Sequence, residues 1–283
     1  MALIELARPA QWIKNGFVLL PVFFAHALFD ADALHGALLA TVAFCLAASA
    51  VYAFNDARDV LRDRLHPDKC RRPVARGAVS VQSAQVFSVL LALGAFGVAI
   101  LTNRDVVLVI ALYLAMQLAY SLGLKRFALL DVLIVASGFA LRILAGGFAA
   151  EVPLTPWILA MGFLLALLLA LGKRHGDISH VTNADAHATR YSLVAIERLL
   201  AGLSGAVVGA YVLYTFSSDV IARHGHHALF YSTPWVVLGV ARYLYLVFQR
   251  SAGGDPSRLA VRDPVLLLST AGWLATLTFV LYR

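Results

Sequence analysis

Nine runs of mostly apolar residues divide this 283-residue chain, each close to the roughly 20 residues a helix needs to cross a bilayer. They cover 12–30, 36–54, 83–101, 105–121, 130–149, 156–172, 198–221, 231–248 and 265–282. Lipid cannot pair with backbone N–H and C=O groups, so runs of this length predict helices, which satisfy their own. The sequence therefore predicts an all-α integral membrane protein, a nine-transmembrane-helix bundle forming a single domain over residues 1–283. Charge is scarce in keeping with this: 14% of residues are charged, against about a quarter in soluble domains. No soluble domain or low-complexity linker interrupts the runs.

Lys and Arg fix the expected orientation. With the N-terminus inside, 18 of the 23 basic residues fall in cytoplasmic segments. The remainder are Arg104, Arg142, Arg223, Arg242 and Arg283. This asymmetry predicts N-in, C-out and puts the densest polar loops on the cytoplasmic face. The net charge of +7 then reports topology and anionic lipid. No basic patch is interleaved with exposed aromatics, so nucleic acid is not an expected partner. Cys45 lies inside an apolar run and Cys70 in a basic loop, which gives neither a disulfide framework nor a metal cluster. The polar start (Glu5, Arg8, Gln11, Lys14) does not read as a cleaved signal peptide.

The chemistry concentrates where the second run ends. Asn55, Asp59 and Asp63 are spaced i, i+4, i+8, and Asp56, Asp59 and Asp63 i, i+3, i+7. On one continuous helix these share a face. Crowded carboxylates repel unless they surround a hard divalent cation, and Mg²⁺ takes carboxylates together with phosphate oxygens and water. Asn55, Asp56, Asp59 and Asp63 are therefore candidate Mg²⁺ ligands, with Asp59 and Asp63 the candidate catalytic pair. Pro67 and Pro73 turn the chain, and Lys69, Arg71, Arg72 and Arg76 follow. Acids beside bases suit a metal-bridged polyphosphate, with Lys69 and Arg72 on its remaining oxygens.

The Asn55-Asp56-x-x-Asp59-x-x-x-Asp63 pattern closing the second of nine runs resembles the UbiA superfamily of membrane prenyltransferases. So do the segment from His66 to Gly77 and the run Tyr120-Ser-Leu-Gly-Leu-Lys125-Arg126. The resemblance spans essentially the whole chain. Prenyltransferases of that type carry a second Asp-rich motif between helices six and seven. Here the corresponding stretch reads Gly172-Lys173-Arg174-His175-Gly176-Asp177, with one acid. This departure is similar to the decaprenyl-phosphate phosphoribosyltransferase branch, as are Arg8-Pro9-Ala-Gln11-Trp12-Ile-Lys14-Asn15 and Leu141-Arg142-Ile-Leu-Ala145-Gly146-Gly147. The resemblance implies transfer of a phosphoribosyl group from 5-phosphoribosyl diphosphate to a polyprenyl (decaprenyl-type) phosphate lipid. It implies a bacterial cytoplasmic membrane, an active site facing the cytoplasm, and a product that feeds arabinose donors for cell-envelope glycans. One Asp-rich motif plus Lys125, Arg126, Lys173 and Arg174 suits a donor with a diphosphate at C1 and a separate phosphate at C5.

Other positions carry two readings. Arg142 sits mid-span, either a phosphate ligand deep in the cleft or the partner of an intramembrane polar group. Asp131 is a second-site acid or a helix N-cap. Tyr120 binds phosphate or anchors at the interface. Lys14 meets the lipid phosphate or only sets topology. His224, His226 and His227 are a weak metal candidate on the opposite face. Gly205 and Gly209 form a helix-packing G-x-x-x-G. Rival functions are a prenyltransferase acting on an aromatic or isoprenoid acceptor, opposed by the single acid of the sixth loop, and a transporter, opposed by polar residues gathered at one surface. Acceptor chain length and oligomeric state are left open, a homo-oligomer included.

Overall fold

The computed structural model describes residues 1–179, 192–218, 228–250, 259 and 262–282. Among these there are helices and turns but no strand. The helices are α1 (Ala2–Ala7), a 3₁₀ helix (Pro9–Leu19), α2 (Leu20–Phe24), α3 (Ala31–Arg58), α4 (Val60–Arg64), α5 (Val81–Ile100), α6 (Arg104–Leu122), α7 (Ala128–Ala149), α8 (Pro156–Ser179), α9 (Leu193–Thr215), α10 (Thr233–Arg250) and α11 (Pro264–Leu281). Short 3₁₀ turns lie at Lys69–Arg71, Leu124–Arg126 and Ala228–Ser232. Among the described residues, seven helices are long and apolar enough to cross a membrane: α3, α5, α6, α7, α8, α9 and α11. Side-chain caps set the starts of several of them. Asp30 accepts from the Asp32 and Ala33 amides, Ser80 from Ser83, and Asn103 from Val106, each satisfying N–H groups that a helix end leaves bare.

Two expected spans take a different form. Run 231–248 becomes the 3₁₀ turn Ala228–Ser232 followed by α10, an 18-residue helix whose polar Arg242 and Gln249 keep it apart from the seven apolar helices. Run 12–30 is not one α-helix. Arg8 adopts a left-handed conformation, an 11-residue 3₁₀ helix follows, and Pro21 lies in the first turn of α2. The packing gives a reason. A 3₁₀ helix repeats every three residues, which aligns Trp12, Asn15 and Val18 along one ridge. That ridge descends α3: Trp12 donates to Ser49 Oγ (3.1 Å), Asn15 donates to Cys45 Sγ (3.1 Å), and Val18 joins the cluster around Phe44 and Ala40. The His224 cluster, Arg190, Arg223, Arg258, Arg283 and the end of run 198–221 lie outside the described residues.

The chain divides into two compact units. The first is Met1–Lys125 with Leu141–Leu154, and the second is Arg126–Ala140 with Thr155–Arg283. In the first, α3 is the hub, packed against the 3₁₀ helix, α5 and α6. Its inner face is Ala37, Ala40, Ala43 and Ala47, all fully buried. Small residues let backbones approach where lipid supplies no hydrophobic drive and contact must do the work. Gly146 takes this furthest, because a Cβ there would land on the Val18 carbonyl oxygen. In the second unit α8, α9, α10 and α11 pack around Leu168, Ile196, Leu200, Tyr243 and Val247.

Candidate active site

α3 runs past the expected end of its span to Arg58, so Asn55 and Asp56 are still helical. Asp59 is its C-cap (φ −91, ψ 12), and α4 restarts at Val60. Amide bonds from Asp59 to the Asn55 carbonyl (2.9 Å) and from Asp63 to the Asp59 carbonyl (2.8 Å) carry the turn through the break. The three acids nevertheless do not meet at one point. Asp56 and Asp63 are buried, at 1% and 3% exposure, and share Arg72: its Nη1 donates to Asp63 Oδ2 (2.7 Å) and Asp56 Oδ1 (3.2 Å). Asp59, half-buried, accepts from Lys125 Nζ at 2.8 Å. Asn55 is half-buried beside them.

Arg8 completes this arrangement. Its Nη2 also donates to Asp56 Oδ1, and its guanidinium lies 4.9 Å from the Tyr52 ring centre. Arg8 belongs to the Arg8-Pro9-Ala-Gln11-Trp12 motif and not to the residues that the sequence predicts for the site. Its left-handed backbone (φ 53, ψ 61) is not signalled by Pro9, because a residue before proline favours extended backbone. A second N-terminal contact tightens the same face, Arg76 to Glu5 at 2.6 and 2.9 Å. The Glu5 carboxylate holds the Arg76 guanidinium above its ordinary pKa.

Among the described residues, no three His, Cys, Asp or Glu side chains are gathered around a common point. The donor set still suits a hard cation. Asp56 Oδ2 is buried without a hydrogen-bond partner among the described residues, although the other oxygen of the same carboxylate receives two guanidiniums. A buried carboxylate oxygen left bare costs free energy unless something cationic or protic meets it. Carboxylates plus one amide are what Mg²⁺ prefers.

The remaining candidates fall in different places. Lys14 is half-buried on the 3₁₀ helix, Lys69 is exposed on its turn, and Tyr120 is half-buried near the end of α6. Arg142 is buried in the first unit. Its Nε donates to Asn15 Oδ1 (2.7 Å) and its Nη2 to the Tyr113 hydroxyl (3.3 Å), and it lies 5.4 and 5.1 Å from the Phe44 and Tyr113 ring centres. Those contacts are the intramembrane pairing of the two readings given for it. In the second unit Arg126 and Lys173 are exposed. Arg174 is one cation between two acids, Asp131 Oδ1 (2.7 Å) and Asp177 Oδ2 (2.9 Å). Asp131 is the fourth residue of α7, with its amide bonded to the Phe127 carbonyl, so it is a buried ion-pair acid and not an N-cap. Beside it His175, buried, approaches Glu197 at 3.3 Å. Arg242 forms a bidentate pair with Asp263 (2.7 and 3.1 Å), which caps α11.

Known proteins resemble this chain along its length. Residues 18–282 match the model of the UbiA prenyltransferase family. A decaprenyl-phosphate phosphoribosyltransferase from Mycolicibacterium smegmatis is 34% identical over 293 residues, covering 99% of this chain and 92% of that one. Another, from Corynebacterium glutamicum, is 32% identical over 294 residues, covering 99% and 86%. Among solved structures, a UbiA homologue from Archaeoglobus fulgidus bound to DMAPP and Mg²⁺ aligns with a TM-score of 0.73 over 98% of this chain and 99% of that one. At 17% identity, that likeness concerns the fold.

Proposed function

The chain belongs to the UbiA prenyltransferase family, and we propose that within it this protein transfers the 5-phosphoribosyl group of 5-phosphoribosyl 1-diphosphate to a polyprenyl phosphate, releasing diphosphate. The observation that carries this reading is near-full-length similarity, at 34% identity, to a decaprenyl-phosphate phosphoribosyltransferase. The polar clusters support it. A phosphoribosyl donor is anionic at both ends, and this chain supplies acids for one metal-bound diphosphate together with several separate cations.

In the proposed reaction an oxygen of the lipid phosphate attacks ribose C1 as the bond from C1 to the diphosphate oxygen breaks. The electron pair of that bond leaves with the diphosphate. The lipid phosphate is ionised at neutral pH, so no side chain has to remove a proton. Asn55, Asp56, Asp59 and Asp63 would hold Mg²⁺. Bound there, it would offset charge growing on the leaving diphosphate. Arg72 and Lys125, with Lys69, Tyr120 and Arg126, are the proposed phosphate contacts of the loops after α3 and α6. Lys173 and Arg174 are proposed as phosphate contacts of α8, and Lys14 as a contact for the lipid phosphate. Arg142 is proposed to act on substrate through the Asn15 and Tyr113 pairing that holds it. Nine crossings, N-in and C-out, in a bacterial cytoplasmic membrane with this chemistry on the cytoplasmic side, complete the proposal. Its support is the concentration of Lys and Arg in alternate loops.

Purified protein in detergent with Mg²⁺ provides the test. One reaction receives labelled 5-phosphoribosyl diphosphate and decaprenyl phosphate; the other receives a labelled prenyl diphosphate and 4-hydroxybenzoate. Label should enter the lipid only in the first reaction and should be lost with EDTA. Product only in the second would replace this reading with prenyl transfer to an aromatic acceptor.

A further inference from the structure

Two leucines just beyond α3 are out of place for a polar loop. Leu61 is 74% exposed and Leu65 89%. They sit one helical turn apart on α4 and its C-cap, so they occupy one face. Exposed leucines on α5 or α6 face lipid because those helices cross it, but α4 belongs to no span. It starts two residues after α3 ends and six after the apolar run 36–54, within about 10 Å of that run's end.

The cations around these leucines differ in how they are used. Arg8 and Arg72 hold Asp56, Arg64 donates to the Ala75 carbonyl (3.1 Å), and Arg76 holds Glu5. Arg62 and Arg71 are exposed, and their side chains make no hydrogen bond or ion pair among the described residues. Arg71 lies on the 3₁₀ turn that packs against α4. Excess basic charge on a cytoplasmic loop is ordinary. Such a loop carrying a leucine pair is not, and apolar groups beside unpaired cations are the composition of an element that lies in the headgroup layer.

We propose that α4 and the turn after it form a docking surface for anionic phospholipid of the surrounding bilayer. Leu61 and Leu65 enter the acyl boundary, and Arg62 and Arg71 hold lipid phosphates. Charge complementarity selects the occupant, because two guanidiniums without carboxylate partners favour an anionic surface over a zwitterionic one. The proposal is independent of the reaction assigned above. It gives the loop that carries Asp63 and Arg72 a second attachment, to the membrane itself.

The test uses the full chain in nanodiscs free of polyprenyl phosphate, made of phosphatidylcholine alone or with about a third phosphatidylglycerol. Leu65→Trp adds a fluorophore that is read as the difference from the parent chain. Bromine on the phosphatidylglycerol acyl chains should quench it about twofold more than bromine on phosphatidylcholine at equal mole fraction. Arg62→Gln with Arg71→Gln should erase that preference. Free quenching by aqueous acrylamide without any bromine effect would overturn the proposal, as would bromine quenching indifferent to headgroup and to the glutamines. The unmutated chain gives a second measurement: tryptic cleavage after Arg62 and Arg71 should slow about fivefold in the anionic discs. Equal rates in both lipids would also overturn it.

Discussion

Each of the two units holds acids against cations, but the two clusters differ in what those cations leave unsatisfied. At the end of α3, three carboxylates draw cations from far along the chain: Arg8 and Arg72 on Asp56, Arg72 on Asp63, and Lys125 on Asp59. A buried oxygen of Asp56 is still left over. At the end of α8, Arg174 donates to both Asp131 and Asp177, and among the described residues neither acid keeps a buried oxygen without a partner. The lesson is that acidic residues alone do not mark a metal site. What marks one is acid that the protein's own cations leave incompletely satisfied. On this argument the first cluster is the one proposed to hold metal, and the second is an ion-paired brace.

The substitution with the largest expected effect strikes the first cluster. Asp59→Asn or Asp63→Asn should each lower phosphoribosyl transfer by about a hundredfold or more, the scale of losing one electrostatic group at a reacting centre. Retention of activity in either variant would remove the metal-site reading. Arg174→Gln should act less severely. It leaves Asp131 buried without its cation, so thermal stability in detergent should fall by about 3 kcal/mol, with a raised KM for the phosphoribosyl donor. An unchanged KM would reduce Arg174 to a brace.

A third substitution leaves both clusters alone. Arg142→Leu strands Asn15 Oδ1 and the Tyr113 hydroxyl, and the loss of charge-assisted bonds should cost about 2–3 kcal/mol of stability. If kcat falls while stability holds, Arg142 touches substrate and its packing is incidental. The smallest effect is on pH dependence. The pair with Arg242 holds the Asp263 carboxyl below its ordinary pKa. A depressed folded-state pKa stabilises above the unfolded value, about 3.9 for Asp, and that contribution disappears as pH falls through the folded one. The stability difference between the parent and Asp263→Asn, which keeps a capping oxygen, should be constant from neutral pH to about 4 and shrink below it. A difference unchanged at the acid end would deny the ion pair its role.

Much of this architecture is legible in the sequence because bilayer thickness forces helices of one length. Seven of the apolar runs reappear as helices long and apolar enough to cross. The 3₁₀ helix was not legible. Its apolar content fits an α-helical span equally well, and only the three-residue ridge of Trp12, Asn15 and Val18 against α3 distinguishes the two. A helical period carried unbroken through Asp63 predicts that all the carboxylates converge. The cap at Asp59 and the separate partners, Arg72 for Asp56 and Asp63 and Lys125 for Asp59, keep them apart, and those partners are tertiary contacts. Arg242 illustrates the same limit, since its partner lies 21 residues away at the cap of another helix.

The most direct test of the contrast between the clusters is a Mg²⁺ titration of phosphoribosyl transfer in Asp56→Asn and in Asp131→Asn. The account predicts that the first variant needs at least about tenfold more Mg²⁺ for half-maximal rate, while the second keeps the parent's Mg²⁺ dependence. A shift confined to Asp131→Asn would contradict it and move the metal to the second unit.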